Sequence, residues 1–257
     1  GSFIFEQFMG IVGSLADNVK EQFSRTQALF IYNYYHAVEY CFDEAFFSME
    51  NAEHCIPVIA NIFIFAMDLS LTNKDKASNF RGFLTANGKM ELFIQLLMGC
   101  MEANMPLAFY CMGLFSNAIG YEWLSNEEIL GMFNTGMSGN EDILAATLQG
   151  VNLILTSNLP VEGKNDIIEK MKINEKFTEE IGSKKVLVML SKLCYTIGML
   201  DNNEEYFKLS LCYMDVEDDD IAVNGIISVH SFLLKNVETV EDVCNASIKK
   251  LAFLNET

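Results

Sequence analysis

The amino-acid sequence predicts an all-α fold, a right-handed α-solenoid of helical repeats. Apolar residues recur at the i, i+3, i+4, i+7 spacing of helices, and the alternation typical of β-strands is absent over useful lengths. One helical pattern also recurs at intervals of about 40 residues, which is the signature of such a repeat array. Apolar residues make up 51% of the chain, enough for the continuous core that stacked repeats share.

The repeated pattern is clearest when residues 143–158 are laid over residues 221–236. Apolar positions coincide with a shift of 78 residues, so that Val151 aligns with Val229. Two further copies are marked by residues at matching positions: Leu107, Tyr110, Leu114 and Asn117 in one, and Leu187, Leu190, Cys194 and Ile197 in the other. We expect the four segments to form the inner helices of successive repeats, because each repeat in such an array packs only on its neighbours.

The two ends of the chain are expected to cover the array. Residues 3–23 place five apolar side chains at helical spacing, and residues 26–41 predict a second helix that is rich in aromatic residues. End repeats must cover an otherwise exposed core. We therefore divide a single helical-repeat domain, residues 3–257, into N-terminal capping helices (3–50), repeats (51–236) and a C-terminal capping helix (237–257).

Turn and capping signals set the expected ends of the helices. Asn87-Gly88 is a turn signal, and Pro106 suits the first turn of a helix. The acidic run 215–220 brings carboxylates to a helix N-terminus, where the macrodipole stabilises them. The helices expected between these signals cover residues 53–69, 90–98, 107–117, 129–133, 141–158, 165–180, 183–200, 204–213 and 221–236.

Two of these segments resemble the armadillo repeat and the related HEAT repeat. From Asn87 to Leu97, a small turn residue and a glycine precede a helix that ends in a Leu-Leu pair, as in the opening of an armadillo repeat. The run Leu114-Phe115-Ser116-Asn117 is similar to the family's closing helix, which often ends in Leu-Ser-Asn. Asn158 and Asn236 match the same terminal position. The resemblance implies a fold that serves as a scaffold, because members of this family share no common catalytic chemistry.

The resemblance covers residues 87–236 and, more loosely, residues 26–72. It departs from the importin-type members, in which a tryptophan four residues before the terminal asparagine helps to hold an extended basic peptide. The corresponding positions here are Gly113, Ile154 and Phe232. We therefore do not expect a receptor for nuclear-localisation peptides of that design.

The charge of the chain limits the classes of partner. With a net charge of −18 and only two arginines, Arg25 and Arg81, nucleic acid is disfavoured, because a phosphate backbone requires a basic stripe. Anionic membrane surfaces are disfavoured for the same reason. The charge suits a basic protein partner, or an acidic surface that only keeps the protein soluble. The longest strongly apolar run, Ile56 to Met67, falls short of the roughly 18 residues that a membrane span needs.

The residue types required for catalysis or metal binding do not form a recognisable pattern. Seven cysteines without a C-x-x-C pair predict reduced thiols in the cytoplasm or nucleus. His230 and Ser231 are adjacent and therefore point about 100° apart on a helix, so they cannot form a nucleophile and its base. The run 215–220 lacks the glycine and glutamate of a calcium-binding loop. We expect no enzyme activity, no cofactor and no metal.

The function that follows is protein–protein interaction, in which a scaffold or adaptor holds an extended segment or a helix of a partner along its concave face. The residues expected to contact the partner are Asn117, Asn152, Asn158, His230 and Asn236. C-capping of helices is the alternative role for the asparagines. Two other functions fit an armadillo-like array: a co-chaperone or nucleotide-exchange factor that binds an Hsp70-type ATPase, and the regulatory region of a formin-like protein that binds a small GTPase or its own tail.

Overall fold

The structure is a computed structural model that describes residues 22, 24–26, 28–29, 47–72, 74–86, 88–121, 124, 127–178, 181–201 and 204–235. Every regular element in these ranges is helical, which confirms the all-α prediction for this part of the chain. A short 3₁₀ turn, Met49–Asn51, precedes eleven α-helices. They are α1 (Ala52–Thr72), α2 (Lys74–Thr85), α3 (Lys89–Glu102), α4 (Pro106–Ala118), α5 (Glu127–Gly136), α6 (Glu141–Thr156), α7 (Val161–Lys170), α8 (Ile173–Lys176), α9 (Lys184–Asp201), α10 (Glu204–Met214) and α11 (Asp219–Lys235).

The chain divides into two compact units, residues 1–138 and residues 139–257. The predicted single domain over residues 3–257 stays a prediction, since most of both capping segments lies outside the described residues. No helix in the described ranges is long and apolar enough to cross a membrane.

Phenylalanine rings hold the first unit together. Helix α1 packs against α2 and α4, and α3 packs against α4 and α5. Phe63 of α1 meets Phe93 of α3 and Phe115 of α4 edge-to-face, with ring centroids 6.0 Å and 5.4 Å apart. All three rings are buried. Such edge-to-face pairs contribute about 0.5–1.5 kcal/mol each beyond the burial of their surface.

In the second unit, α9 packs against both α6 and α11, and α10 packs against α9 and α11. The buried residues of these helices include Leu148 and Val151 of α6, Leu190 and Ile197 of α9, and Val229 of α11. These are the positions at which the repeated sequence pattern coincides. The pattern therefore identified the helix faces that form this core, and the packing is compatible with an α-solenoid.

Several expected helix ends are confirmed. Gly88 has φ +74° and lies directly before α3, a left-handed conformation that glycine adopts without strain. Pro106 is the first residue of α4. Asp218 accepts hydrogen bonds from the backbone N–H groups of Asp220 and Ile221, so the acidic run does form the start of a helix.

Other expectations were wrong. Instead of one helix over residues 165–180, the structure has the short helices α7 and α8, because Lys172 between them adopts φ +50° and interrupts the helical hydrogen bonds. Helix α2 was not predicted, because polar residues interrupt the pattern of its four buried residues, Ala77, Phe80, Phe83 and Leu84. Leu107 was predicted to be an inner residue but is 37% exposed. It lies in the first turn of α4, and an apolar pattern does not fix burial at a helix end.

Candidate binding face on the second unit

The central parts of α6, α9 and α11 carry almost no charged side chains, although the chain contains 35 acidic residues. Residues 143–156, 186–200 and 221–234 include no aspartate or glutamate, and Lys192 is their only lysine or arginine. The acidic residues that the structure describes in this unit lie at the ends of these helices, on other helices or in connecting segments. The centres of the three helices therefore differ in charge from the other described helices of this unit, although residues 54–67 in α1 and residues 103–121 around α4 also include no aspartate, glutamate, lysine or arginine.

Exposed residues on these helices follow a spacing of seven, which corresponds to almost two turns and keeps them on one face. The rows are Asp142, Gln149 and Thr156 on α6, Lys185, Lys192 and the half-buried Met199 on α9, and Asp220 and Ile227 on α11. Ion pairs join the rows at one end. Lys185 Nζ lies 2.8 Å from Asp142 Oδ1, and Lys184 Nζ lies 3.3 Å from Asp220 Oδ2. We call the surface formed by these rows the α6–α9–α11 face.

Hydrogen bonds between side chains fix how the three helices lie against each other. Thr196 Oγ1 of α9 donates to Asn152 Oδ1 of α6 at 2.6 Å. Asn224 Nδ2 of α11 donates to Ser191 Oγ of α9 at 3.0 Å. Because Ser191 and Thr196 are about 140° apart around α9, α9 bonds α6 on one side and α11 on another. Asn152 and Asn224 are half-buried, so both amides contribute to helix packing and retain some surface.

The ion pairs at this end involve three carboxylates, those of Asp142, Asp218 and Asp220. Lys184 Nζ lies 2.7 Å from Asp218 Oδ2. The hydrogen bond from this lysine lowers the pKa of the Asp218 carboxyl, and the same bond raises the pKa of Lys184. Asp218 also caps α11. These carboxylates are therefore already paired with lysines of the same unit, which makes them less available to a basic ligand.

Apolar side chains are exposed on α11. Val223 is 47% exposed and Ile227 is 46% exposed, one turn apart on the same side of the helix. His230 is exposed one further turn along. On α9, Val188, Tyr195 and Met199 are half-buried and surround Lys192 at helical spacing. The face thus offers apolar contact area around few polar groups.

The predicted binding residues fall into three groups. Asn152 and His230 belong to the second unit and lie on α6 and α11, helices that both pack against α9. Asn117 is half-buried on α4 of the first unit, and Asn158 is exposed just beyond the end of α6. Asn236 lies outside the described residues. Their role in binding stays a prediction.

C-capping of helices is the alternative role of these asparagines, but other residues occupy the C-cap positions of α4 and α6. Ile119 occupies the C-cap of α4, and Ser157 occupies that of α6. The Ser157 hydroxyl donates to the Ile154 carbonyl at 2.7 Å and accepts from the Leu159 N–H at 3.3 Å. Ser157, in contrast to Asn158, therefore completes the hydrogen bonds at the end of α6.

Sequence reasoning missed Lys192, Thr196, Asn224 and Ile227. Lys192 could have been found, because it is the one charged residue in a long apolar run of α9. Thr196 and Asn224 could not, since only the packing of the helices shows that their partners are Asn152 and Ser191.

The site contains no arrangement suited to metal chemistry. Within the described ranges, no group of three or more histidine, cysteine, aspartate and glutamate side chains could hold a metal ion. Away from the ion pairs at its end, the face combines exposed apolar residues, neutral polar groups and one lysine, Lys192, which suits binding. Comparison with known proteins gives no further guidance: no family model matches the chain, and no curated protein is significantly similar in sequence.

Proposed function

We propose that the protein is a non-enzymatic scaffold or adaptor of the armadillo/HEAT-like α-solenoid type, which binds a segment of a partner protein along the α6–α9–α11 face. The observation that carries this proposal is the near absence of charge from three neighbouring helices that expose Val223 and Ile227. Covering a half-exposed valine or isoleucine stabilises a complex by about 1 kcal/mol each, at about 25 cal/mol per Å².

The size of the face suits a short segment. Packed helices lie about 8–10 Å apart, so the axes of three neighbours span roughly 20 Å. An extended chain covers about 3.3 Å per residue. A segment of about ten residues would therefore cross α6, α9 and α11 with a margin at each end.

The charge of the face does not favour a basic segment, although the whole chain is acidic. Three carboxylates at its edge, those of Asp142, Asp218 and Asp220, already pair with Lys184 and Lys185. A basic ligand that binds these three carboxylates would have to displace the lysines. We therefore favour a partner segment that is mainly apolar.

A reducing compartment, the cytoplasm or the nucleus, suits this proposal. Four described cysteines are buried free thiols: Cys55, Cys100, Cys111 and Cys194. Burial raises the pKa of Cys55 to about 12 and the pKa of Cys194 to about 11. Because the thiolate is the reactive form, these groups stay inert and protonated at neutral pH.

The proposal can be tested by selecting phage-displayed random peptides, each of about ten residues, on the immobilised full chain. Selected peptides are then measured against Ile227→Asn and against Val161→Asn. Val161 is 48% exposed on α7, outside the face, and is therefore a matched control. We expect Ile227→Asn to weaken binding about tenfold, and Val161→Asn to leave binding unchanged. Equal binding to both variants, or a selection without enriched peptides, would contradict the proposal.

A further inference from the structure

We infer that the partner segment carries an aspartate or glutamate that pairs with Lys192, flanked by apolar side chains that cover Val188, Tyr195 and Ile227. This inference rests on the proposed function, because it specifies the chemistry of the ligand for the same face. It is opposite in sign to the ligand that the net charge of the chain suggests.

The position of Lys192 is the first reason. It lies eight residues after Lys184 and nine before Asp201, which places it about 12 Å from either end of α9. Its side chain is exposed, and its ammonium group forms no ion pair with any residue that the structure describes. Lys184 and Lys185 on the same helix do form such pairs. Lys192 is therefore the lysine of α9 that remains available to a ligand.

The surroundings of Lys192 are the second reason. Residues 143–156, 186–200 and 221–234 contain no carboxylate. A segment lying across the face would remove water from the lysine, and an unpaired charge that loses its water is costly. A carboxylate on the segment compensates for the lost hydration of the lysine through a charge-assisted hydrogen bond. A lysine or arginine at that point would instead add a repulsion of like charges.

The neighbours of Lys192 define the flanking residues. Val188, Lys192, Tyr195 and Met199 follow the i, i+4, i+7, i+11 spacing of one helix face. The three neighbours of the lysine are half-buried, so each retains surface that a ligand can cover. On α11, Ile227 is 46% exposed. The lysine is thus a single charge within apolar surface, and the matching ligand has a single carboxylate between apolar side chains.

The experiment uses the peptides selected on the full chain. Their composition is scored for Asp and Glu against Lys and Arg. One selected peptide is synthesised in three forms: with its own Asp or Glu, with the corresponding Asn or Gln at that position, and with Lys at that position. Each is titrated against the wild-type chain, Lys192→Gln, Lys192→Glu and Lys208→Gln. Lys208 is exposed on α10, outside the face, and controls for a general loss of positive charge.

We expect enrichment of one acidic residue among apolar ones. Lys192→Gln should weaken binding of the acidic peptide about tenfold, and Lys208→Gln should leave its affinity unchanged. The peptide with lysine in place of the acid should bind Lys192→Glu better than it binds the wild-type chain. Circular dichroism confirms that the variants fold.

Two results would overturn the inference while leaving the proposed function intact. If selected peptides depend on Ile227 but bind Lys192→Gln as tightly as they bind wild type, Lys192 takes no part in binding. Selection of peptides rich in lysine and arginine would assign a basic ligand. If no selected peptide depends on Ile227, the proposed function itself fails, and the inference fails with it.

Discussion

Helices α10 and α11 approach each other closely at Gly225, which gives a sharp test of the packing. A methyl group added there would lie 2.6 Å from the Met214 amide nitrogen and 2.8 Å from the Ser210 carbonyl oxygen. Both atoms belong to the backbone of the last turn of α10, so no side-chain rotation relieves the clash. Gly225→Ala therefore forces α10 and α11 apart by several tenths of an ångström.

The expected cost follows from three contributions. Overpacking of a tight interface costs about 1–3 kcal/mol. Separation of the helices also stretches the 2.6 Å hydrogen bond between the buried Ser210 and Ser228 hydroxyls, which adds about 1 kcal/mol. Replacing glycine by alanine within a helix offsets about 1 kcal/mol. The net loss in the free energy of unfolding is about 1–3 kcal/mol.

Urea unfolding followed by circular dichroism measures this loss. With a denaturant dependence of about 1–3 kcal/mol per M, a loss of about 2 kcal/mol lowers the midpoint by roughly 1 M. Amide hydrogen exchange of residues 204–235 should accelerate, which locates the effect in α10 and α11. Gly131→Ala on α5 is the control, because a methyl group there meets no atom within 4 Å, and it should stabilise the protein by about 0.5–1 kcal/mol. A Gly225→Ala midpoint at or above that of wild type would refute the reasoning.

Three other side chains allow direct tests. Asn140 caps α6 by accepting from the Asp142 and Ile143 N–H groups, so Asn140→Ala should lower the free energy of unfolding by about 1 kcal/mol in urea. The pKa of Asp218 is lowered in the folded state. Its contribution to the free energy of unfolding is therefore fully present above the pKa of about 4 that an aspartate has in the unfolded chain, and it is lost as pH falls through the lower pKa of the folded state. Asp218→Asn should therefore lower the melting temperature at neutral pH and not in strong acid; an equal drop at both would contradict the ion pair. Cys212 is exposed while Cys194 is buried, so iodoacetamide should label Cys212 before Cys194 in the native protein, as mass spectrometry of the peptides can show.

Local signals in the sequence predicted much of the fold. The spacing of apolar residues identified nearly every described helix, because burial of one face imposes that spacing on any packed helix. Gly88 and Pro106 marked helix ends through their own backbone preferences. The acidic run before α11 marked another end, because Asp218 can bond the free N–H groups of the first turn. Each of these features depends on residues close together in the chain.

The site depended on contacts between residues far apart in the chain. The sequence identified Asn152 as an inner-helix polar residue, but only the packing of α6 on α9 shows that it bonds Thr196. The net charge indicated an acidic molecule, while the tertiary structure brings together three helix centres without a carboxylate and isolates Lys192 among them. The sequence by itself thus determined which segments are helical and which faces are apolar. The tertiary structure decided which faces meet and which charges remain unpaired, because these depend on distances between helices that no local pattern encodes.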